Sequence, residues 1–195
     1  MISDKKHPSS IIIALPEWIG RYVSLAEKTT FRDEQQAMLF AILLSRENVK
    51  QQTGGPFAAL VIDRDTGELI SLGVNLVTSS NKSSAHAEVV ALSLAQERIS
   101  NWDLSSRSSA MLVTTCEPCV MCYGALQWSG ISRLVIGAKS EDAEKIGFNE
   151  GVKPENWPAL LTARNIGVSI DVHRDEAVEV LSEYALNSGM IYGHR

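Results

Sequence analysis

Cysteine is absent from the sequence outside residues 116–122, where three occur together. So few cysteines, so close in sequence, cannot staple a secreted disulfide framework; a short cluster of this kind points to metal binding in a reducing compartment. Long apolar runs are also missing. The first ten residues, "MISDKKHPSS", are polar, and "IIIAL" behind them is too short for a signal-peptide core or a membrane span. Positive charge is in deficit: 18 Lys and Arg stand against 23 Asp and Glu, a net charge of −5. No global field therefore draws the chain to nucleic acid or to an anionic membrane. Repeats and low-complexity segments are absent too, and the serine-rich "LSSRSS" at 104–109 reads as a loop within a domain. A soluble cytoplasmic protein is the expectation.

What is present suffices for one packed unit. The 195 residues are 45% hydrophobic, enough to bury a full core in a single large domain. Residues 1–50 read as a tail and amphipathic helices packing on a domain that spans 51–195. Thr30 and Asp33 are candidate start signals for the second helix. Two β-rich runs flank "DRDTGE" and predict a hairpin of 57–63 with 69–77. The polar "TSSNKSS" reads as a loop, followed by a helix from His86 to about Ser100. Beyond it the pattern predicts strand 110–115, helix 118–128, strand 133–138, helices 140–147 and 155–165, strand 167–173 and helix 174–188. Strands alternating with helices imply largely parallel pairing behind the hairpin, with helices on both faces.

Two stretches carry chemistry: "SSAHAEVVAL" at 83–92 and "VTTCEPCVMCYGA" at 113–125. Catalytic zinc takes three protein ligands of nitrogen and sulfur and leaves the fourth tetrahedral position to water. His86, Cys116 and Cys119 are read as that set. The two cysteines stand three apart where a helix is expected to begin, with Pro118 in its first turn. Cys122 lies six residues beyond Cys116 and is read as a buried thiol, not as a fourth ligand closing a structural site. Glu88, two positions past His86, leaves in another direction and is free to carry protons for a water whose pKa the metal lowers to roughly 7. A hydroxide beside a proton shuttle suits hydrolysis of an amidine-like carbon with loss of ammonia.

"HAE" followed by "PCVMC" resembles the H-x-E and P-C-x-x-C signature of the zinc nucleobase deaminases. The chain is identified as similar to the cytidine and deoxycytidylate deaminase superfamily over roughly 54–192. That resemblance implies a three-layer α/β/α fold with a central five-stranded mixed sheet. It implies one catalytic Zn2+ per chain, bound by His86, Cys116 and Cys119, with Glu88 as the acid/base. It further implies substrate contacts from Asn75 in "GVN", from Ala87 and from Trp128 in "LQWSG". The segment "GFNEG" resembles one in bacterial guanine deaminases, which assigns Phe148 to substrate binding and Glu150 to gripping the purine edge and moving protons. Tyr192 would belong to a C-terminal lid.

The expected activity is hydrolysis of a free purine-like base, guanine to xanthine or an aminotriazine such as ammeline, in purine catabolism. The rival readings are a tRNA adenosine deaminase, disfavoured by the acidic charge balance, a pyrimidine deaminase, and a non-catalytic zinc scaffold that would not need Glu88. A homodimer is expected from the apolar "GALQWSGISRLVIGA". His173 and His194 have no motif around them and are assigned to no metal.

Overall fold

Successive residues of a strand face opposite ways, and along β1 (Ala58–Asp63) the first five are all buried, so this strand has to be covered on both sides. Leu60 and Ile62 belong to one apolar cluster, while Ala59 and Val61 belong to another. The structure is a computed structural model that describes residues 8–107 and 109–192; His194 lies outside the described residues. β2 (Leu69–Val74) returns antiparallel to β1. The turn between them is closed by the Asp63 carboxylate, which accepts from the backbone N–H of Asp65 and Thr66, and by Gly67 at φ +73°.

On its other edge β1 pairs antiparallel with β3 (Ala110–Cys116), and β4 (Arg133–Ala138) and β5 (Gly167–Ser169) follow in parallel. The sheet order is β2-β1-β3-β4-β5, five strands in a mixed sheet, as expected. Parallel neighbours need crossovers. These are α5 (Val120–Leu126) between β3 and β4, and α6 (Ser140–Lys145) with α7 (Trp157–Thr162) between β4 and β5. One face of the sheet carries α2 (Glu34–Lys50) and α8 (Arg174–Leu186); the other carries α4 (Ala87–Ile99), which also packs on α5. A shorter α1 (Gly20–Ala26) precedes α2. Asp33 caps α2 by accepting from Gln36 N–H at 2.8 Å, so Asp33 and not Thr30 gives the start signal.

Four departures from the sequence expectation bear on the fold. The polar stretch after β2 folds one helical turn, α3 (Val77–Ser80), ended by Asn81 in the left-handed region. α5 starts at Val120 instead of 118, because Glu117 precedes a proline and stays extended, its N–H bonded to Ala138 O at 2.8 Å. β5 stops at Ser169, short of 173, where Asp171 and His173 take φ of +60° and +51°. α7 spans only six residues of the expected eleven positions 155–165.

The spacing between α4 and the sheet is set by Gly73. A Cβ there would lie 2.4 Å from Ala87 O and 2.6 Å from Ala91 N, so the helix rests directly on the strand backbone. Ser71 Oγ reinforces the contact by donating to Ala91 O at 2.6 Å.

Candidate active site

His86 is the N-cap residue of α4, with extended backbone and no side-chain capping bond. Cys119 holds the same position on α5. An N-cap side chain ordinarily folds back over its own helix to accept from a free N–H; here imidazole and thiol are released from that task and point at each other. Cys119 Sγ and His86 Nδ1 are 3.5 Å apart. Cys122, on the first turn of α5, brings its thiol to the same point, and the ligand atoms of His86, Cys119 and Cys122 all lie within 4.8 Å of one another.

This corrects the expected ligand set. Among the described residues the cluster contains Cys122, read from the sequence as a buried thiol, and does not contain Cys116. Cys116 ends β3, paired with Ala138, and its Sγ donates to Lys139 O at 3.6 Å. The physical reason is the extended Glu117-Pro118 step: Cys116 and Cys119 are separated by strand-like chain, whereas Cys119 and Cys122 share one helical turn. Counting P-C-x-x-C from Pro118 yields Cys119 and Cys122 directly.

The donor set fits zinc. A tetrahedral ion with bonds of about 2.3 Å to sulfur and about 2.0 Å to nitrogen holds those ligands roughly 3.5 Å apart, the separation seen between His86 and Cys119. The thiols are already polarised: a hydrogen bond from Cys122 leads the causes that lower the Cys119 pKa to about 4, with His86 adding to it. The same bond, with burial, pushes Cys122 up. Burial opposes charge on His86, but its contacts with Cys119 and Glu88 raise its pKa on balance. Burial, followed by the nearby Glu150, Glu88 and Glu117 carboxylates, raises Cys116 well above the ordinary thiol value.

Glu88 lies beside this cluster and outside it. It is 6% exposed, and burial, then the negative Cys119, raises its pKa. Together with His86, Cys116 and Cys119 it lines a cleft of about 500 Å³, open mouth included. Asn75 forms the opposite wall just beyond β2. Its Oδ1 accepts from Gly55 N and Val77 N, both at 3.3 Å, and its Nδ2 is buried with no hydrogen-bond partner among the described residues. Asn48 holds the backbone of Asn75 in place by donating to its carbonyl at 2.9 Å.

Phe148, Glu150 and Tyr192 also line the cleft, as do Phe57 and Asn149, which sequence reasoning missed. Phe148 is the aromatic hub. Its ring is 5.0 Å from Phe57, 5.2 Å from Tyr192 and 6.0 Å from Tyr184. The Tyr192 hydroxyl is buried without a hydrogen-bond partner among the described residues, and its ring lies 6.3 Å from that of His86. Burial, followed by the negative Cys119 and Glu88, raises Glu150 to about 8.

Two expected contacts are not part of this cleft. Trp128 is 74% exposed, beyond the end of α5, with the Arg164 guanidinium 5.7 Å from its ring. Ala87 is fully buried in the first turn of α4 and its side chain does not line the cleft. His173 pairs with Glu176 at the start of α8. No helix among the described residues is long and apolar enough to cross a membrane.

Residues 31–138 match the cytidine and deoxycytidylate deaminase zinc-binding region. The guanine deaminase of Bacillus subtilis (strain 168) is 37% identical over 110 residues, 56% of this chain and 67% of that one. A tRNA-specific adenosine deaminase of Buchnera aphidicola subsp. Schizaphis graminum is 33% identical over 132 residues, 68% and 81% of the two chains. Among solved structures, the guanine deaminase from Nitrosomonas europaea superposes with a TM-score of 0.85 at 41% identity, covering 93% of this chain and 100% of its own. With a histidine and two thiols converging beside a buried glutamate, this chain belongs to the cytidine and deoxycytidylate deaminase family and is a zinc-dependent aminohydrolase.

Proposed function

We propose that the protein hydrolyses the exocyclic amine of a free purine-like base, guanine to xanthine and ammonia, with an aminotriazine such as ammeline as a second substrate of the same shape. The observation that carries the reading is the enclosure of the metal cluster by Asn75, Phe148, Glu150 and Tyr192 in one cleft. Those side chains supply one amide donor, one buried carboxyl group and stacking surfaces, a set suited to a flat heterocycle with polar edges.

The chain's own groups divide the work. Bound by His86, Cys119 and Cys122, zinc supplies the Lewis acidity that makes water nucleophilic at neutral pH. Glu88, next to that cluster, takes the proton from the attacking water and delivers it to the amino group that leaves as ammonia. Asn75 Nδ2 donates to an acceptor on the ring, and its fixed Oδ1 makes that orientation permanent. Glu150, whose pKa burial raises, donates to a ring nitrogen when protonated and accepts from a ring N–H when ionised. Phe57, Phe148 and Tyr192 exclude bulk water from the base, which strengthens each of these bonds. Cys116 stands at the cleft wall as a neutral thiol.

The similarity to a tRNA-specific adenosine deaminase supports a second reading. One feature weighs against it: the net charge of −5 is ill-suited to phosphate binding. Ammonia release by the zinc-loaded protein separates the readings, measured on guanine, adenine, cytosine, cytidine, guanosine, ammeline and a tRNA anticodon stem. Activity confined to the tRNA would sink the first.

The outer face of α5 supports the homodimer. Val120 and Met121 are exposed along it and Trp128 just past its end, and a Cβ on Gly124 would meet nothing within 4 Å, so an apolar strip is offered to a second copy. Across such an interface Trp128 gains the burial that one chain does not give it. Three free cysteines fit a reducing cytoplasm, and the reaction class fits purine catabolism.

A further inference from the structure

Lys153 is enclosed as few lysines are. Its side chain is 8% exposed. The ammonium is paired with the Glu117 carboxylate and donates to Pro118 O at 2.7 Å and to Ser140 Oγ at 2.9 Å. Ser140 Oγ in turn donates to Glu117 Oε1 at 3.0 Å, and the Trp157 ring lies 5.4 Å from Nζ. Burying an ammonium is unfavourable unless its donors are all met; here each of the three N–H groups has its own acceptor.

The partners belong to the parts that build the cleft. Glu117 and Pro118 lead directly into the ligand Cys119, and Lys153 closes the segment that carries Phe148, Asn149 and Glu150. A second contact joins the same two segments three residues earlier. Glu150 O accepts from Val120 N at 2.9 Å. Gly151, at φ +71°, passes so close that a Cβ would come within 2.4 Å of Val120 Cγ1, and its N–H is bonded to Asn149 Oδ1 at 2.9 Å. The loop is therefore pinned to the metal-ligand turn at residues 150 and 153.

We infer that Lys153 is a positioning residue for the cleft: by clamping Glu117, Pro118 and Ser140 it holds residues 148–153 on the metal-ligand turn and so fixes where Glu150 meets the edge of the base. This rests on the reading of Glu150 as the residue that grips substrate. A lysine suits the place because three divergent acceptors match the compact ammonium and not the planar fork of an arginine.

The test uses the full-length zinc-loaded protein and two variants. Lys153→Met keeps the stem and removes the ammonium; Lys153→Met with Glu117→Gln leaves no unpaired buried charge, and so keeps the test valid if the single change alone destabilises the fold. Amide hydrogen exchange and steady-state kinetics per bound zinc are measured, the latter also in a Glu150→Gln background. Exchange at Val120 and Gly151 is expected to rise at least about tenfold in both variants, with β1 and β3 unchanged. Against guanine, kcat/KM is expected to fall at least about tenfold, mostly in KM, yet by less than about twofold when Glu150→Gln is already present, because residues acting as a unit are not additive. Unchanged exchange at Val120 and Gly151 overturns the inference, and so does an equal loss in the Glu150→Gln background. A wild-type protein inert on guanine refutes the functional reading instead, and the exchange result then decides the role of Lys153 by itself.

Discussion

His86 Nδ1 and Cys119 Sγ lie 3.5 Å apart although 33 residues separate them in sequence. Each sits at the N-cap of a different helix, and the two helices meet on one face of the sheet. Everything chemical in the molecule is arranged around that contact, and the five outcomes below follow from it or from what supports it.

Zinc content distinguishes the three cysteines. Cys119→Ser and Cys122→Ser are expected to lose stoichiometric zinc after gel filtration, since the remaining ligands cannot close the site. Cys116→Ser is expected to retain it, because that thiol faces Lys139 O. Metal analysis of the three variants side by side reads the result, and zinc lost from Cys116→Ser alone would reverse the assignment.

Glu88→Gln is expected to keep both zinc and fold while lowering turnover by roughly 10²- to 10⁴-fold, the range for a lost general acid/base. Metal analysis and kcat on the same preparation check this. Near-normal kcat would remove Glu88 from the reaction.

Glu150→Gln acts on substrate choice. Its zinc content and thermal midpoint are expected to stay close to wild type, while kcat/KM for guanine and ammeline falls by about 10² or more, since a site that hydrogen-bonds its substrate discriminates strongly once a partner is lost. Equal rates on every purine-like base in the variant would reduce "GFNEG" to an ordinary loop.

Stability has its own pH signature at Asp142. Hydrogen bonds from Arg174 lead the causes that hold its carboxyl well below the usual carboxylate range, assisted by the Lys139 N–H and Lys145. A folded-state pKa depressed in this way contributes stability that is fully present above the unfolded value near 4 and is lost as pH falls below it. Urea unfolding of wild type and Asp142→Asn is therefore expected to differ most near pH 7 and to converge in acid. A gap that stays constant down to pH 2 would show that the pair is not ionic.

The dimer is tested at Met121 and Trp128. Replacing both by Glu places charge on the exposed strip of α5 without touching the core, and is expected to shift the protein from dimer to monomer in analytical ultracentrifugation at micromolar concentration. A wild-type protein that is an active monomer under those conditions contradicts the assembly.

The strands are legible because a strand covered on both faces reads as a short, nearly continuous apolar run: "AALVID" and "RLVIGA" form β1 at 58–63 and β4 at 133–138. The His86 helix was readable from its helix-forming run, and Asp33 from its capping chemistry. The cluster holds Cys122 in place of Cys116 because a residue before proline stays extended, which carries the strand through Glu117 and delays the start of α5. Other parts had no local signal. Phe57 and Asn149 enter the cleft only because β1 and the 148–153 segment converge on Phe148, and Trp128 falls outside it because α5 ends at Leu126. The bonds of Lys153 span 13 to 36 residues, a range over which sequence pattern says nothing about who meets whom.

Gly73 touches neither metal ligand nor substrate, yet it works as the gauge block of the centre. The helix that begins at His86 can sit no deeper than its contact with the strand allows, and at residue 73 that contact is backbone on backbone. One added methyl group would lift the start of α4 and with it His86 and Glu88, while Cys119 and Cys122, mounted on a different helix, would stay behind. The reach between nitrogen and sulfur is thus written into the thickness of a layer boundary, and tolerance at residue 73 is a measure of how much mismatch the metal centre accepts.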